Sequence, residues 1–87
     1  MLEIHFTPAA WADYLYWQTQ DRKTLKRINQ LLDATARAPQ EGIGKPEPLR
    51  GNLSGYWSRR IDDRHRLVYA ADDIAVTVIA CRTHYGE

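Results

Sequence analysis

An α+β fold, with two N-terminal helices packed on an antiparallel β-sheet, follows from three features of this 87-residue sequence. A short alternating segment opens the chain. Two stretches with helical periodicity come next. Three short β-type segments close it, and the turns between them are too tight for anything but antiparallel neighbours.

The elements follow in order. Leu2–Phe6 alternates and reads as a strand. Thr7-Pro8 starts a helix, with Thr as N-cap and Pro in the first turn. From Pro8 to about Gln18, Trp11, Tyr14, Leu15 and Gln18 share one stripe, which is expected to face the core. Asp21 is a second N-cap. Leu25, Ile28, Leu32 and Thr35 then recur at spacings of three and four, giving a second amphipathic helix whose polar face carries Arg22, Lys23, Lys26 and Arg27. Pro39 ends it. Gln40–Pro48 holds two Gly and two Pro and reads as loop, and Asn52–Gly55 as a turn. Strands are expected at Tyr56–Ile61, Arg66–Ala71 and Ile74–Arg82, with turns at Asp62-Asp63-Arg64 and Asp72-Asp73. No repeat or low-complexity segment interrupts this order, and residues 1–87 are expected to form one domain with a modest core.

Composition excludes several classes. The single cysteine, Cys81, rules out an internal disulfide, and its apolar run (Val76 to Cys81) suits a buried, inert thiol. No apolar stretch approaches membrane-spanning length, and Met1-Leu2-Glu3-Ile4-His5 lacks the basic and apolar regions of a signal peptide. A reduced, cytoplasmic setting is therefore expected, without a membrane partner. Three Trp and five Tyr suit either a small core filled by large rings or a surface that stacks bases. The net charge of +1 says little about a polyanion partner. Its distribution says more: residues 20–37 carry five Lys/Arg against two Asp, and residues 38–69 carry six against four acids. That concentration fits a local polyanion-binding face or a solvated helix face.

Chemistry-bearing residues gather in the second half. If Ile61, Leu67 and Tyr69 face the helices, alternation sends Arg60 and Arg66 to the opposite face. They are neighbours only if the Asp62–His65 turn contains an odd-length loop or a bulge. Two such Arg make an anion site suited to phosphate, unless nearby acids such as Asp62 or Asp63 pair with them. Glu47 lies between Pro46 and Pro48, which restrict the backbone around a carboxylate: a positioned base, or an exposed acid in a stiff loop. His84, beside Tyr85 at the end of the last strand, is of the type that donates a proton to a leaving group. Three His and one Cys show no zinc-ligand spacing, so neither a metal nor another cofactor is expected.

Five stretches taken together carry a resemblance: Asp13-Tyr14-Leu15-Tyr16-Trp17-Gln18, Gly44-Lys45-Pro46-Glu47-Pro48-Leu49, Asn52-Leu53-Ser54-Gly55-Tyr56-Trp57-Ser58-Arg59-Arg60-Ile61, His65-Arg66-Leu67-Val68-Tyr69 and Cys81-Arg82-Thr83-His84-Tyr85. In this order and spacing, over nearly the whole chain, they resemble the YoeB toxins of the RelE/ParE superfamily. The resemblance implies a RelE-like fold and the toxin of a type II toxin–antitoxin system, an endoribonuclease that cuts mRNA in the ribosomal A site. It implies Glu47 as general base, His84 as general acid and Arg66 as transition-state stabiliser, with Lys45, Arg60 and Tyr85 at further substrate-binding positions. It also implies a YefM-type antitoxin, the 70S ribosome and mRNA as partners, and a tendency to homodimerise. Arg50 stands where the family has Lys, with a phosphate or RNA role. Gly86-Glu87 extends the chain past Tyr85, where the family pattern stops. Two other readings stay open: a ParE-like inhibitor that binds a protein target such as gyrase, and a non-catalytic RNA-binding protein. Glu47 together with His84 argues against the first, because a pure binding module needs neither an acid nor a base, and a cleavage assay with translating ribosomes separates all three.

Overall fold

The computed structural model describes residues 1–83, Thr83 by its backbone alone. The elements are β1 (Glu3–Phe6), α1 (Pro8–Gln20), α2 (Arg22–Arg37), β2 (Glu47–Pro48), a 3-10 turn (Gly51–Leu53), β3 (Trp57–Arg60), β4 (Arg66–Ala71) and β5 (Ala75–Thr83). One five-stranded sheet has the order β1-β5-β4-β3-β2, with the two helices on one face.

Both helix starts use the caps expected from sequence. Thr7 Oγ1 accepts from the Ala10 N–H at 3.2 Å, and Pro8 opens the first turn, where a missing N–H costs nothing. Asp21 ends α1 and caps α2. Its Oδ1 accepts from the N–H groups of Lys23 and Thr24, and its Oδ2 from the Thr24 hydroxyl at 2.8 Å. These donors, the Thr24 hydroxyl foremost, hold the Asp21 carboxyl below the usual aspartate range.

Three details differ from the sequence reading. The sheet is antiparallel from β2 to β5, but β1 joins it parallel to β5, with Ile4 opposite Val76 and Phe6 opposite Val78. Short turns dictate direction only between consecutive strands. Two helices separate β1 from the rest of the sheet, and such a crossover permits a parallel neighbour. The buried face of α1 is Ala10 and Trp17, with Tyr14 half-buried, whereas Trp11 and Leu15 are 47% and 44% exposed and Gln18 is exposed. Large rings and apolar side chains lie around much of this helix, so its own periodicity does not single out the side that meets β5. Trp11 and Tyr14 instead group with Phe6, at ring-centroid distances of 5.2 to 5.7 Å. Finally, the segment read as loop ends in a two-residue edge strand. Glu47 lies opposite Ser58 and Pro48 opposite Trp57, and Pro48 is tolerated because an edge strand has one unpaired side.

Ile28, Leu31 and Leu32 of α2 pack with Leu67, Tyr69, Val76 and Val78 of the sheet, under Ala10 and Trp17 of α1. Cys81 is fully buried there, and burial together with the nearby Asp13 charge pushes its thiol up to about 12. The reactive species is the thiolate. At pH near 8 its population falls by roughly 10³-fold relative to a free cysteine. A thiol reagent should therefore label Cys81 only as fast as the domain unfolds, with labelling quickened by urea. Rapid stoichiometric labelling of the native protein would contradict this placement.

Candidate active site

The β3–β4 hairpin builds the site. Asp62 Oδ1 accepts from the N–H groups of Arg64 and His65 at 2.8 and 2.7 Å, a side-chain-closed turn. Ile61 N donates to His65 O at 2.9 Å, which leaves the three residues Asp62–Arg64 in the loop. This odd length puts Arg60 directly opposite Arg66. Ile61, Leu67 and Tyr69 are buried against the helices, so both Arg belong to the other face, as alternation requires. Like charges facing each other across a ladder are unfavourable unless an anion joins them.

Glu47 supplies one. Its Oε1 accepts from Arg66 Nη1 at 3.2 Å. β2 and β4 flank β3, so this contact reaches across the intervening strand. The side chains are 58% and 22% exposed. An ion pair this open contributes at most about 1 kcal/mol to stability, which is little reason by itself to hold a carboxylate there.

The backbone before Glu47 is held closely. Gly44 has φ +83°, and a Cβ there would come within 2.7 Å of Leu31 Cδ2 and 3.1 Å of Arg59 Cβ. Its carbonyl accepts from Arg60 N at 2.7 Å, so the same strand end that carries Arg60 fixes the approach to Glu47. Beyond β2, Leu49 N donates to Tyr56 O at 2.8 Å. Lys45 and Arg50 flank β2 and are both exposed. Arg60 is exposed as well.

The sequence reading missed Arg59. It is fully buried on the helix side of β3. Its guanidinium donates to the carbonyls of Ile43 (2.9 Å), Ala38 (2.7 Å) and Glu41 (2.9 Å), and its Nε to the Tyr69 hydroxyl (3.1 Å). That hydroxyl donates to Pro39 O at 2.6 Å. Burial pushes the Tyr69 phenol up, with the Arg59 hydrogen bond opposing the shift. One buried cation thus pins the connection that leads from α2 to Lys45 and Glu47. A signal was present: if Ile61 points inward, so does Arg59, two residues earlier.

The end of β5 is held by α1. Trp17 Nε1 donates to Cys81 O at 2.8 Å, and Asp13 Oδ2 accepts from Cys81 N at 3.1 Å. Trp17 is therefore a core ring with a satisfied N–H, and the His65 ring stands edge-on to it at 5.0 Å. Irregularities in the β4–β5 register near Val68 let Cys81 face α1 while Thr83 still lies opposite Arg66. Arg82 lies over the Tyr16 ring at 3.5 Å. His84 and Tyr85 fall outside the described residues.

Among the described residues, no three of His, Cys, Asp and Glu come together to hold a metal ion. A groove lies along α2 beside Arg27, Gln30, Ala34 and Ile43. Glu47 and Arg60 are exposed on this face, and the Arg66 side chain is 22% exposed. Two guanidinium groups beside a proton-accepting carboxylate can hold an anionic group and take a proton from it, on a surface that admits a polymer.

A family description, "YoeB-like toxin of bacterial type II toxin-antitoxin system", matches residues 6–85. A relative named Toxin YoeB from Mycobacterium bovis is 58% identical over 85 residues, which is 98% of this chain and 100% of the relative. The structure of a YoeB dimer from Staphylococcus aureus superposes with a TM-score of 0.90 at 50% identity, over 97% of this chain and 98% of that one. A heterotetrameric YoeB–YefM toxin–antitoxin complex from the same organism gives a TM-score of 0.88 at 50% identity, over 98% and 99% of the two chains.

Proposed function

The chain belongs to the YoeB-like toxin family of bacterial type II toxin–antitoxin systems, and from that premise we propose that it is a ribosome-dependent endoribonuclease that cleaves mRNA in the A site by acid–base transesterification. The observation that carries the reading is Glu47 held at 3.2 Å from Arg66, with Arg60 directly opposite Arg66 on the same open face.

The Glu47 carboxylate takes the proton of a ribose 2′-hydroxyl. The 2′-oxygen attacks the adjacent phosphorus as the bond to the 5′-oxygen breaks, and His84 protonates the departing oxygen. Arg66 and Arg60 stabilise the charge on the phosphorane, and Lys45, Arg50 and Tyr85 hold flanking parts of the substrate. The role of His84, which lies outside the described residues, rests on the family's pattern. In the resting protein Arg66 occupies Oε1 of the base, and an incoming phosphate competes with the carboxylate for that guanidinium. Carboxylates are weak bases at neutral pH, and the ribosome supplies the in-line geometry that a small open site lacks. A YefM-type antitoxin with an acidic segment competes for the same Arg cluster, as a partner of the kind in the S. aureus YoeB–YefM complex, and the toxin pairs with a second copy, as in the S. aureus YoeB dimer.

A single substitution in the substrate tests the chemistry. With deoxyribose on the nucleotide 5′ of the cut, cleavage there should stop while binding persists, because phosphate and base contacts remain. The native products should be a 2′,3′-cyclic phosphate and a 5′-hydroxyl. On pre-formed ribosome complexes chelators should not slow the chemical step. A metal-activated water would instead tolerate the deoxy position and leave a terminal phosphate without a cyclic stage. Cleavage at the deoxy position therefore rejects the mechanism. No cleavage of any mRNA on translating ribosomes would favour a ParE-like inhibitor.

A further inference from the structure

Ser58 is the small residue over which the Glu47–Arg66 contact passes. It lies opposite Glu47 on one side and opposite Val68 on the other. Directly opposed residues share a face, so Ser58 is on the same face as Glu47, Arg60 and Arg66. It is fully buried, and its hydroxyl oxygen has no hydrogen-bond partner among the described residues. A buried hydroxyl left unpaired is costly, and native folds rarely keep one without a use. Opposed Cβ atoms lie about 4.5–5.5 Å apart, so a Glu folded back over the strand comes within reach of this hydroxyl.

We infer that Ser58 is a positioning residue for Glu47: its hydroxyl donates to the carboxylate once the substrate phosphate draws Arg66 away. The inference rests on Glu47 being the base. In the resting protein Arg66 occupies Oε1. When Arg66 turns to the phosphate, the carboxylate loses its only hydrogen-bond donor among the described residues, at the moment its direction matters most. Ser58 then fixes the direction from below, leaving the outward oxygen free for the 2′-hydroxyl. Among the described residues, the charged groups nearest Glu47 in the fold are Arg66 of β4, its ion-pair partner, Arg60, which lies opposite Arg66, and Lys45 two residues earlier on its own segment. In general, losing a hydroxyl that donates to a charged carboxylate shifts the acidic side of a pH–rate profile upward.

The test is single-turnover cleavage on translating ribosomes as a function of pH, with Ser58→Ala, Ser58→Thr and Glu47→Gln. Ser58→Ala removes one atom from a tight site, and its melting temperature reports whether it folds. It should lower the maximal rate by about 10-fold, leave the ribosome concentration for half-saturation unchanged, and move the acidic limb of the profile upward. Ser58→Thr, which keeps the hydroxyl and suits a strand, should return both rate and limb to within a few-fold of the parent. Two results overturn the proposal: a Ser58→Ala protein with the parent rate and limb, or a slower one whose limb is unmoved and which Thr does not rescue, which would make Ser58 a packing residue. Full activity in Glu47→Gln would instead remove the premise, so the two failures are distinguishable.

Discussion

Replacing Glu47 by Gln should lower the single-turnover rate of mRNA cleavage on ribosomes by about 10²–10⁴-fold, the range of a general base, while ribosome affinity stays within a few-fold. Gln keeps the size of the side chain and an oxygen that can accept from Arg66, so the hairpin and the approach through Gly44 should be undisturbed. The change removes a basic oxygen and one negative charge. Because Glu47 is 58% exposed and its ion pair is open, melting temperature should hardly change. His84→Ala should give a loss of the same order for the departing oxygen, and Arg66→Ala should also slow the chemical step. Lys26→Ala, on the exposed side of α2, is the control: it should act on binding and its salt dependence rather than on the chemical step. A Glu47→Gln protein with the parent rate, or a larger chemical defect in Lys26→Ala than in Arg66→Ala, would put the site on the wrong face.

The largest effect on stability is expected at Arg59. Arg59→Met keeps much of the aliphatic volume but leaves the carbonyls of Glu41 and Ile43 and the Tyr69 hydroxyl without their donor, and Ala38 O with only the long Glu41 N–H bond. An acceptor stranded in a buried place costs about 1–3 kcal/mol, less where water can reach it. A total near 3 kcal/mol should lower the melting temperature by about 12–24 °C in a domain of this size. Arg59→Lys should recover only part of this, because one ammonium cannot fan out to carbonyls on three residues and a phenol. Ala38 is the C-cap of α2, so the guanidinium also meets the negative end of that helix. Cleavage should fall together with stability, because the segment that Arg59 pins continues into Lys45 and Glu47. Thermal melts by circular dichroism decide the point. A melting temperature within a few degrees of the parent would mean that water replaces the guanidinium at little cost.

Much of the fold is legible along the chain because its determinants are local. Thr7-Pro8 and Asp21 start helices through bonds within three residues. Tight turns impose antiparallel pairing on β3, β4 and β5. Alternation around Ile61 and Leu67 is enough to put Arg60 and Arg66 on one face, where the ladder pairs them. The buried side of α1 is not legible in the same way. Trp11, Tyr14, Leu15 and Trp17 offer apolar surface in several directions, and only contact with β5 selects Ala10 and Trp17.

By itself the sequence determined the helix starts, the hairpin strands, the two Arg on one face and, through five ordered motifs, the toxin family. Only the tertiary structure decided that β1 runs parallel beside β5, that Arg59 clamps the carbonyls of Ala38, Glu41 and Ile43, and that Glu47 meets Arg66 across β3 above a buried Ser58. The physical reason is range. Caps, turns and alternation are set by neighbours a few residues apart, and their signals survive in one dimension. The Glu47–Arg66 contact joins residues 19 apart, and the Arg59 contacts join residues 10 to 21 apart. Each depends on a backbone that other contacts must first bring into place, so the residue types are visible in the sequence while their partners are not.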